Sequence, residues 1–592
     1  MHLRSPAAFL RYWRRSHPND PIILLISAAV IGVLVGYAAI GFRLALESVQ
    51  ILGFGFGGEN VFSQAAELDW WHIVAVPTVG GLLVGLFLRY AMPGRRPQGV
   101  ADVIEAVALK GGRMSLRQGL GAALVNVVSL GVGSSTGREG PIVHVGATLA
   151  SVAAQKLHVS PSMRLTLLGC GVAAGVAASF NAPIAGVFFA LEVVIGHYAL
   201  HALAPVVLAS VAGTIVSRIQ FGDTPAFIIP DYAIVSFLEF PAFLILGGVC
   251  GVIAMIFMWS AMFAEDVVNK LRIPDVVRPA CGGLAIGVIA VFFPQILGVG
   301  YEATDAALKE LFPLWLLIVL ITAKTAATAI CLGCRFGGGV FSPSIMLGAL
   351  TGGAFGIIAA SVFPEMAASH GLYAIVGMGA MAAAVLGAPI STILIVFELT
   401  GDYKITIAVM VAAVVASFLS QSVVGKSFFH WQLQRRNVNV RGGRAQHFLR
   451  ERRVSDVMSF DYETVKQNAG IEEMKALLLT SSHNAFFVVD DERRLVGTLT
   501  FGDLKAAVRE AGGEGAPAVT AYDACHRDPP ALVAPQTLED ALALLDSSRE
   551  EHLAVVQNRR EMRVIGVVHH KDALAAHNRA LLQAHAEEHG ER

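Results

Sequence analysis

The chain reads as an all-α polytopic membrane domain, built as an inverted repeat of broken helices and followed by a smaller α/β domain. Three observations predict this. The 592 residues are 55% hydrophobic and 15% charged, with a mean hydropathy of +0.61. Apolar runs at 22–39, 73–88, 242–258 and 314–329 are long enough to span or nearly span a hydrocarbon core of about 30 Å. Two sets of motifs also recur in the same order in the two halves of the apolar region.

Residues 1–21 form an N-terminal segment in which Arg4, Arg11, Arg14 and Arg15 precede the first span. The apolar domain covers 22–434, in halves of about 22–218 and 234–424. Arg435, Arg436, Arg441, Arg444, Arg450, Arg452 and Arg453 then crowd a basic linker at 435–453. Arginines flanking both ends place both termini in the cytoplasm by the positive-inside rule, and the expected location is the cell membrane. No small-residue cleavage site follows the first apolar run, so the first helix is expected to stay as an anchor. A net charge of -1 gives no basic surplus, and no nucleic-acid partner is expected. The six cysteines are scattered, with Cys170, Cys250 and Cys281 in apolar stretches where helices touch. Cys331 and Cys334 have redox or zinc spacing but no second pair, so no metal site is expected.

Several apolar segments are too short to cross a bilayer: 100–109, 141–154, 183–195, 343–352 and 389–399. Half-spans of this kind belong inside a bundle, where their free backbone ends face a cavity or an ion. The repeat is read from two pairs of motifs. Phe180-Asn-Ala-Pro183-Ile-Ala and Leu386-Gly-Ala-Pro389-Ile-Ser both lead, nine residues past the proline, to a glutamate, Glu192 and Glu398. Upstream, Pro141-Ile-Val-His-Val-Gly146 has its counterpart in Pro343-Ser-Ile-Met-Leu-Gly348. Broken helices at corresponding positions of two halves point to a transport site at the repeat interface.

The stretch from Gly131 to Gly146 organises the chain. Its glycines lead into an apolar helix, with Glu139 and Pro141 at the junction. Proline suits a first helical turn, and the free amides there, with the positive end of the helix dipole, form an anion site. Glu139 is an anion at that spot and would compete with a diffusible one. An ionisable group this deep in an apolar sequence is a functional candidate.

Beyond the linker the composition is that of a soluble domain. Residues 485–490 and 495–500 read as strands and 503–510 as a helix. The pattern repeats at 538–545, 552–557, 564–568 and 572–577. The two units, 454–510 and 520–580, resemble tandem CBS domains, and a polar tail covers 581–592. That resemblance implies adenine-nucleotide binding, with Thr500 and Asp503 as the hydroxyl and acid for a ribose. In the second unit His569 replaces the hydroxyl and Asp572 keeps the acid. A purely structural pair is the alternative.

The membrane motifs resemble those of the CLC chloride channels and proton-coupled chloride transporters. The marks are Gly137-Arg138-Glu139-Gly140-Pro141, Gly339-Val340-Phe341-Ser-Pro343 and the Asn181-Ala-Pro183 helix ending in Glu192. The resemblance implies a homodimer with one pore per subunit, with chloride or another small monovalent anion bound by the amides of Val340 and Phe341. Glu139 would be the gate or proton carrier, within an anion site that includes Gly137 and Gly140. Arg138 is expected to pair locally or face the aqueous vestibule.

Three departures from the family pattern follow. Gln98, beside Gly99, stands where a serine hydroxyl is usual. Phe429 replaces a tyrosine, with His430 adjacent. Glu192-Val193 stands where many exchangers carry two successive acids, the second accepting protons from the inside. The pair favours a gated chloride channel. The alternatives are a proton-coupled antiporter and, in a different class, a membrane-anchored nucleotide-sensing module. No nucleophile–base constellation points to an enzyme, and no cofactor is required beyond an adenine nucleotide at the CBS pair. His144 is expected as a packed, hydrogen-bonded residue, with a proton relay or a vestibule-lining residue as the alternative. Glu398 is expected to cap or pair at the membrane edge, with a second pathway acid as the alternative. Lys324 would either attract anions or snorkel to the interface.

Overall fold

The computed structural model describes residues 21–589, except 199, 224–226, 228–229, 231, 233–238, 363–368, 426, 437, 439, 441–448, 450–451, 484, 511–518 and 549. The N-terminal arginines and the linker residues 441, 444 and 450 lie outside the described residues. The chain forms two compact units, Met1–Val440 and Arg441–Arg592.

The first unit is helical. Its first half runs α1 (Pro21–Phe54), α2 (Val61–Ala65), α3 (Trp70–Ala91), α4 (Val100–Leu109), α5 (Leu116–Gly131), α6 (Glu139–Leu157), α7 (Pro161–Phe180), α8 (Pro183–Phe189) and α9 (Leu200–Phe221). The second half runs α10 (Phe240–Lys270), α11 (Arg278–Phe292), α12 (Tyr301–Leu308), α13 (Leu314–Gly333), α14 (Phe341–Val362), α15 (His370–Leu386), α16 (Pro389–Thr400) and α17 (Tyr403–Val424), before a short α18 (Phe428–Arg435). Eight helices among the described residues are long and apolar enough to cross a membrane.

The halves repeat the same packing. Helix α1 lies on α9 as α10 lies on α17, α6 packs on α7 as α14 packs on α15, and α7 on α9 as α15 on α17. Across the halves, α3 meets α11 and α8 meets α16. The α6–α7 and α14–α15 crossings are backbone to backbone. A Cβ on Gly171 would lie 2.3 Å from the Gly146 carbonyl oxygen, and one on Gly377 2.4 Å from that of Gly348. In a bilayer such small-residue contacts replace the hydrophobic effect as the packing force.

Two expected half-spans are longer than their glycines and prolines suggested. The segment at 141–154 belongs to a 19-residue helix, and that at 343–352 to the 22-residue α14. Gly352 and Gly356 do not break α14, because each packs against α15, where a Cβ on Gly352 would strike the Tyr373 carbonyl. The segment at 183–195 is broken as expected: α8 is seven residues long and passes into a π-helical turn, Ala190–Ile195, that carries Glu192 and Val193.

The two repeat glutamates cap each other's half. Glu192 accepts from the Ile390 and Ser391 amides at 3.2 and 2.8 Å and from the Ser391 hydroxyl at 2.5 Å. Glu398 accepts from the Ile184 and Ala185 amides at 2.9 and 2.8 Å. Each carboxylate therefore satisfies the unpaired first-turn amides of the proline-started helix opposite.

Lys324 corrects both expectations for it. It is fully buried on α13, and its ammonium donates to the Ile296 and Gly298 carbonyls at 3.1 Å each. The turn before α12 supplies oxygens that hold the charge inside the bundle, so the lysine neither faces an anion nor reaches the interface. Of the cysteines, Cys170, Cys250, Cys331 and Cys334 are buried, whereas Cys281 is exposed.

The second unit contains two sheets. In one, β1 (Glu463–Lys466) runs parallel to β2 (Ala485–Val489), which pairs antiparallel with β3 (Leu495–Thr500), and β3 with β4 (His526–Arg527). In the other, β5 (Ala531–Val533) runs parallel to β6 (His552–Val556), which pairs antiparallel with β7 (Val564–His569). Helices α19 (Ile471–Thr480), α20 (Phe501–Glu510), α21 (Ala521–Ala524), α22 (Leu538–Ser548) and α23 (His570–His589) complete the repeat. Strand alternation divides the core. Phe486 and Val488 face the first repeat's own core, while Phe487 joins Ala554, Val556 and Val567 in a cluster shared by both repeats.

His552 and His569 pair across β6 and β7, Nδ1 to Nδ1 at 2.7 Å. Burial pushes both imidazoles below their ordinary value; for His552 the neighbouring His569 adds to this, while for His569 Asp572 opposes it. The neutral pair stabilises the unit fully above the unfolded value of about 6.5, and that contribution is lost as pH falls below it. Limited proteolysis of the full chain is expected to show the 526–589 region more open at pH 5 than at pH 7, with His569→Gln reducing the difference. In the membrane unit, Gly171→Val is expected to destabilise by about 1–3 kcal/mol or more, read as loss of monodisperse protein after detergent extraction. Gly248→Val, where a Cβ meets nothing within 4 Å, should extract like the parent.

Candidate functional site

The site is built where the two halves meet through their glycine-rich turns. Gly137 and Gly339 form a reciprocal antiparallel pair, N to O at 2.7 and 2.8 Å. Around it, the Thr136 hydroxyl donates to the Gly337 carbonyl at 3.0 Å, and the Gly337 amide to the Ser129 hydroxyl at 2.9 Å. This junction sets the start of α6 beside the start of α14. A Cβ on Gly137 would fall 2.8 Å from Glu139 Oε2 and 3.0 Å from the Ser342 amide nitrogen, so only glycine leaves room.

Glu139 is 1% exposed. Tyr301 donates its hydroxyl to Oε1 at 2.8 Å, and the Ser342 hydroxyl donates to Oε2. The carboxylate thus lies against the first turn of α14, the positive end of that helix. Neither hydroxyl was among the residues expected from sequence. Ser342 lies inside the quoted Val340-Phe341 motif and could have been found as the only side-chain donor in it. Tyr301 carries no local signal, because α12 reaches Glu139 only through the fold.

Arg138 turns away from the carboxylate. Its guanidinium bonds Glu59 at 3.0 Å, which also takes Arg43 at 2.9 Å, and lies 4.5 Å over the Tyr301 ring. Phe227 packs on that ring at 4.8 Å. The tyrosine that holds the Glu139 carboxylate is itself clamped from two sides.

Two cavities flank Glu139. One, of about 320 Å³, is lined by Gln98, Gly99, Gly140, Gly339, Val340 and Phe429. The other, of about 30 Å³, is lined by Glu59, Arg138 and Tyr301 among others. The residues before and after Glu139 therefore open to different cavities, with the carboxylate between them. Gln98 makes no side-chain hydrogen bond among the described residues. Phe341 does not line the larger cavity; its ring packs on Phe180 and Phe189 at 4.9 and 5.9 Å. His430 lies beside Ser427, Nδ1 to Oγ at 2.9 Å. His144 corrects its expectation in part: it is packed, at 1% exposure, but its Nδ1 is buried without a hydrogen-bond partner.

Among the described residues, no group of three or more His, Cys, Asp or Glu could hold a metal. In the second unit, Thr500 and Asp503 bond each other, hydroxyl to carboxylate at 2.6 Å, as a cap on α20. Thr520–Asp523 and Thr537–Asp540 form the same arrangement at 2.6 and 2.7 Å, so the pair is first a helix-capping device. Asp572 lies in the first turn of α23.

A pseudo-symmetric helical bundle with a carboxylate at the meeting of two helix starts defines a class of membrane transport protein. The family model described as voltage gated chloride channel matches residues 80–421, and the CBS domain model matches 454–510 and 521–578. The chain is 34% identical over 397 residues to a putative chloride channel protein ClcB-like from Ralstonia nicotianae, covering 66% of this chain and 92% of that protein. It is 30% identical over 559 residues to the chloride channel protein CLC-f of Arabidopsis thaliana, covering 83% and 70%. A crystal structure of a slow cyanobacterial Cl-/H+ antiporter shares the fold, with TM-score 0.63, 23% identity and coverage of 70% and 97%. The chain belongs to the CLC family of voltage-gated chloride channels and carries a C-terminal pair of CBS domains.

If the two hydroxyls hold the carboxylate, Tyr301→Phe and Ser342→Ala should each weaken its seat. A hydrogen bond to a charged group contributes about 1.5–3 kcal/mol, so each variant is expected to raise anion flux from liposomes by roughly tenfold or more. Unchanged flux in both would mean the hydroxyls do not restrain the gate.

Proposed function

We propose that this chain carries chloride across the cell membrane through a pathway gated by Glu139, acting as a channel. The observation that carries this reading is the Glu139 carboxylate, held by Tyr301 and Ser342 at the start of α14 with a cavity on either side. A chloride entering the larger cavity meets the backbone of Gly140, Gly339 and Val340 and the free carboxamide of Gln98. The arginines that also line this cavity, Arg96, Arg335, Arg435 and Arg436, are paired with Asp102, Asp275 and Asp266. At the helix starts the contacts are therefore dipoles rather than full charges, and a dehydrated anion bound by dipoles can leave again. Arg138 is drawn off by Glu59, so it does not trap the ion. When Glu139 swings out, the helix-start position it occupies is open to chloride.

The channel reading is supported by Val193, which carries no proton, and by Glu192, whose oxygens are engaged as a cap on α16. Proton-coupled exchange is the second reading, favoured by the closure itself. A carboxylate leaves two donors and a helix start most readily once a proton has neutralised it, so each release would bring a proton to the pathway. A module that only senses nucleotide has no use for the enclosed Glu139.

We assign the CBS pair a regulatory role, with an adenine nucleotide placing its ribose near Thr500 and Asp503 or near Asp572. Both termini and this pair are placed in the cytoplasm, and two copies are expected to associate as a homodimer.

The deciding measurement is flux from liposomes holding a chloride gradient, with chloride and external pH followed together. A channel gives chloride efflux without uphill proton movement, and Glu139→Gln raises that efflux and removes its pH dependence. Protons driven uphill by the chloride gradient would establish exchange and overturn the channel reading.

A further inference from the structure

A third cavity, of about 850 Å³, opens beside the larger pathway cavity, between the end of α4, the start of α5 and the end of α6. It is basic. Arg96, Lys110, Arg113 and Lys156 line it against a single carboxylate, Asp102. Asp102 is already bonded to Arg96 at 2.5 Å and Arg436 at 3.3 Å, and Lys110 pairs with Glu105 at 2.7 Å. Arg113 and Lys156 are exposed and hold no ion pair among the described residues. At its floor lies His144, the buried histidine with an unpartnered ring nitrogen.

The mouth of this cavity continues into an exposed apolar surface. Leu116 lines it, and Leu120 and Leu124 follow at four-residue steps up the same face of α5, at 39%, 59% and 49% exposure. A soluble phosphate ester would have no use for that stripe. A diacyl lipid would lay a chain on it while its phosphate sits among the cations. The cavity lies at the end of the bundle where Arg436 bonds Asp102, the side from which the chain leaves the membrane.

We propose that this cavity seats the headgroup of an anionic phospholipid, the phosphate held by Arg113 and Lys156. Arg96 and Gln98 line both this cavity and the pathway cavity, so an occupied headgroup site touches the residues at the pathway's mouth.

The test uses the full chain in a neutral detergent, with bound lipid counted by native mass spectrometry. The probes are phosphatidylglycerol, phosphatidylcholine with the same acyl chains, and inorganic phosphate. Phosphatidylglycerol is expected to bind in preference to phosphatidylcholine, and the Arg113→Gln/Lys156→Gln variant to bind it about thirtyfold more weakly, at about 1 kcal/mol per basic residue. Both side chains are on the surface, so the variant should elute and melt as the parent does. Equal phosphatidylglycerol binding by parent and variant would overturn the site. Inorganic phosphate competing as effectively as the lipid would overturn the lipid assignment. Neither readout depends on chloride flux.

Discussion

A carboxylate buried at 1% exposure in an apolar bundle is the constraint around which this molecule is arranged. Removing a carboxylate from water without donors or an opposite charge is costly enough to unfold a domain or force protonation. The structure meets that cost with two hydroxyls and the start of a helix from the other half of the chain. To bring them there it needs the Gly137–Gly339 junction, because any side chain at 137 would occupy the space of the carboxylate oxygen. It needs Arg138 held elsewhere, which Glu59 and the Tyr301 ring accomplish. It also needs the turn before Tyr301 to be fixed, and the buried ammonium of Lys324 grips the carbonyls of that turn.

The same electrostatic element serves different ends at three places. Glu139 sits at the start of α14, Glu192 at the start of α16 and Glu398 at the start of α8. The repeat pair is half-buried and bound mainly through backbone amides, which cannot rotate away, with the Ser391 hydroxyl added at Glu192, so those contacts fasten one half of the bundle to the other. Glu139 is held through side-chain hydroxyls that can turn, with a cavity on each side. Donors fixed in the backbone suit a fastener, and rotatable donors between cavities suit the gate proposed for Glu139.

Much of the fold is legible in the sequence because the bilayer enforces simple rules. Apolar length marks the spans, and Ala-Pro-Ile turns mark helix starts that no water can satisfy. The strand periodicity of 485–500 and 552–568 marks the second unit. Glycine was the misleading signal. In α14 the run at 351–356 suggested a break, but glycines that pack against a neighbouring backbone strengthen a membrane helix crossing instead of ending it. The Thr500–Asp503 pair shows the reverse limit: the same residue spacing caps three helices here, so spacing alone does not separate a ligand site from a cap.

The sequence by itself determined that this is a polytopic membrane protein of two related halves, that Glu139 lies at a helix start, and that a repeated α/β module follows. Those are local or periodic properties, set by hydropathy, proline and glycine placement, and motif spacing. Only the tertiary structure decided what holds Glu139. Tyr301 is 162 residues away and Ser342 203 residues away in sequence, and no local pattern encodes which distant hydroxyl a buried oxygen will find. It likewise decided that Lys324 grips a turn and that His144 faces a basic cavity. The partner of a buried charge is chosen by how helices stack, and that choice is made in three dimensions.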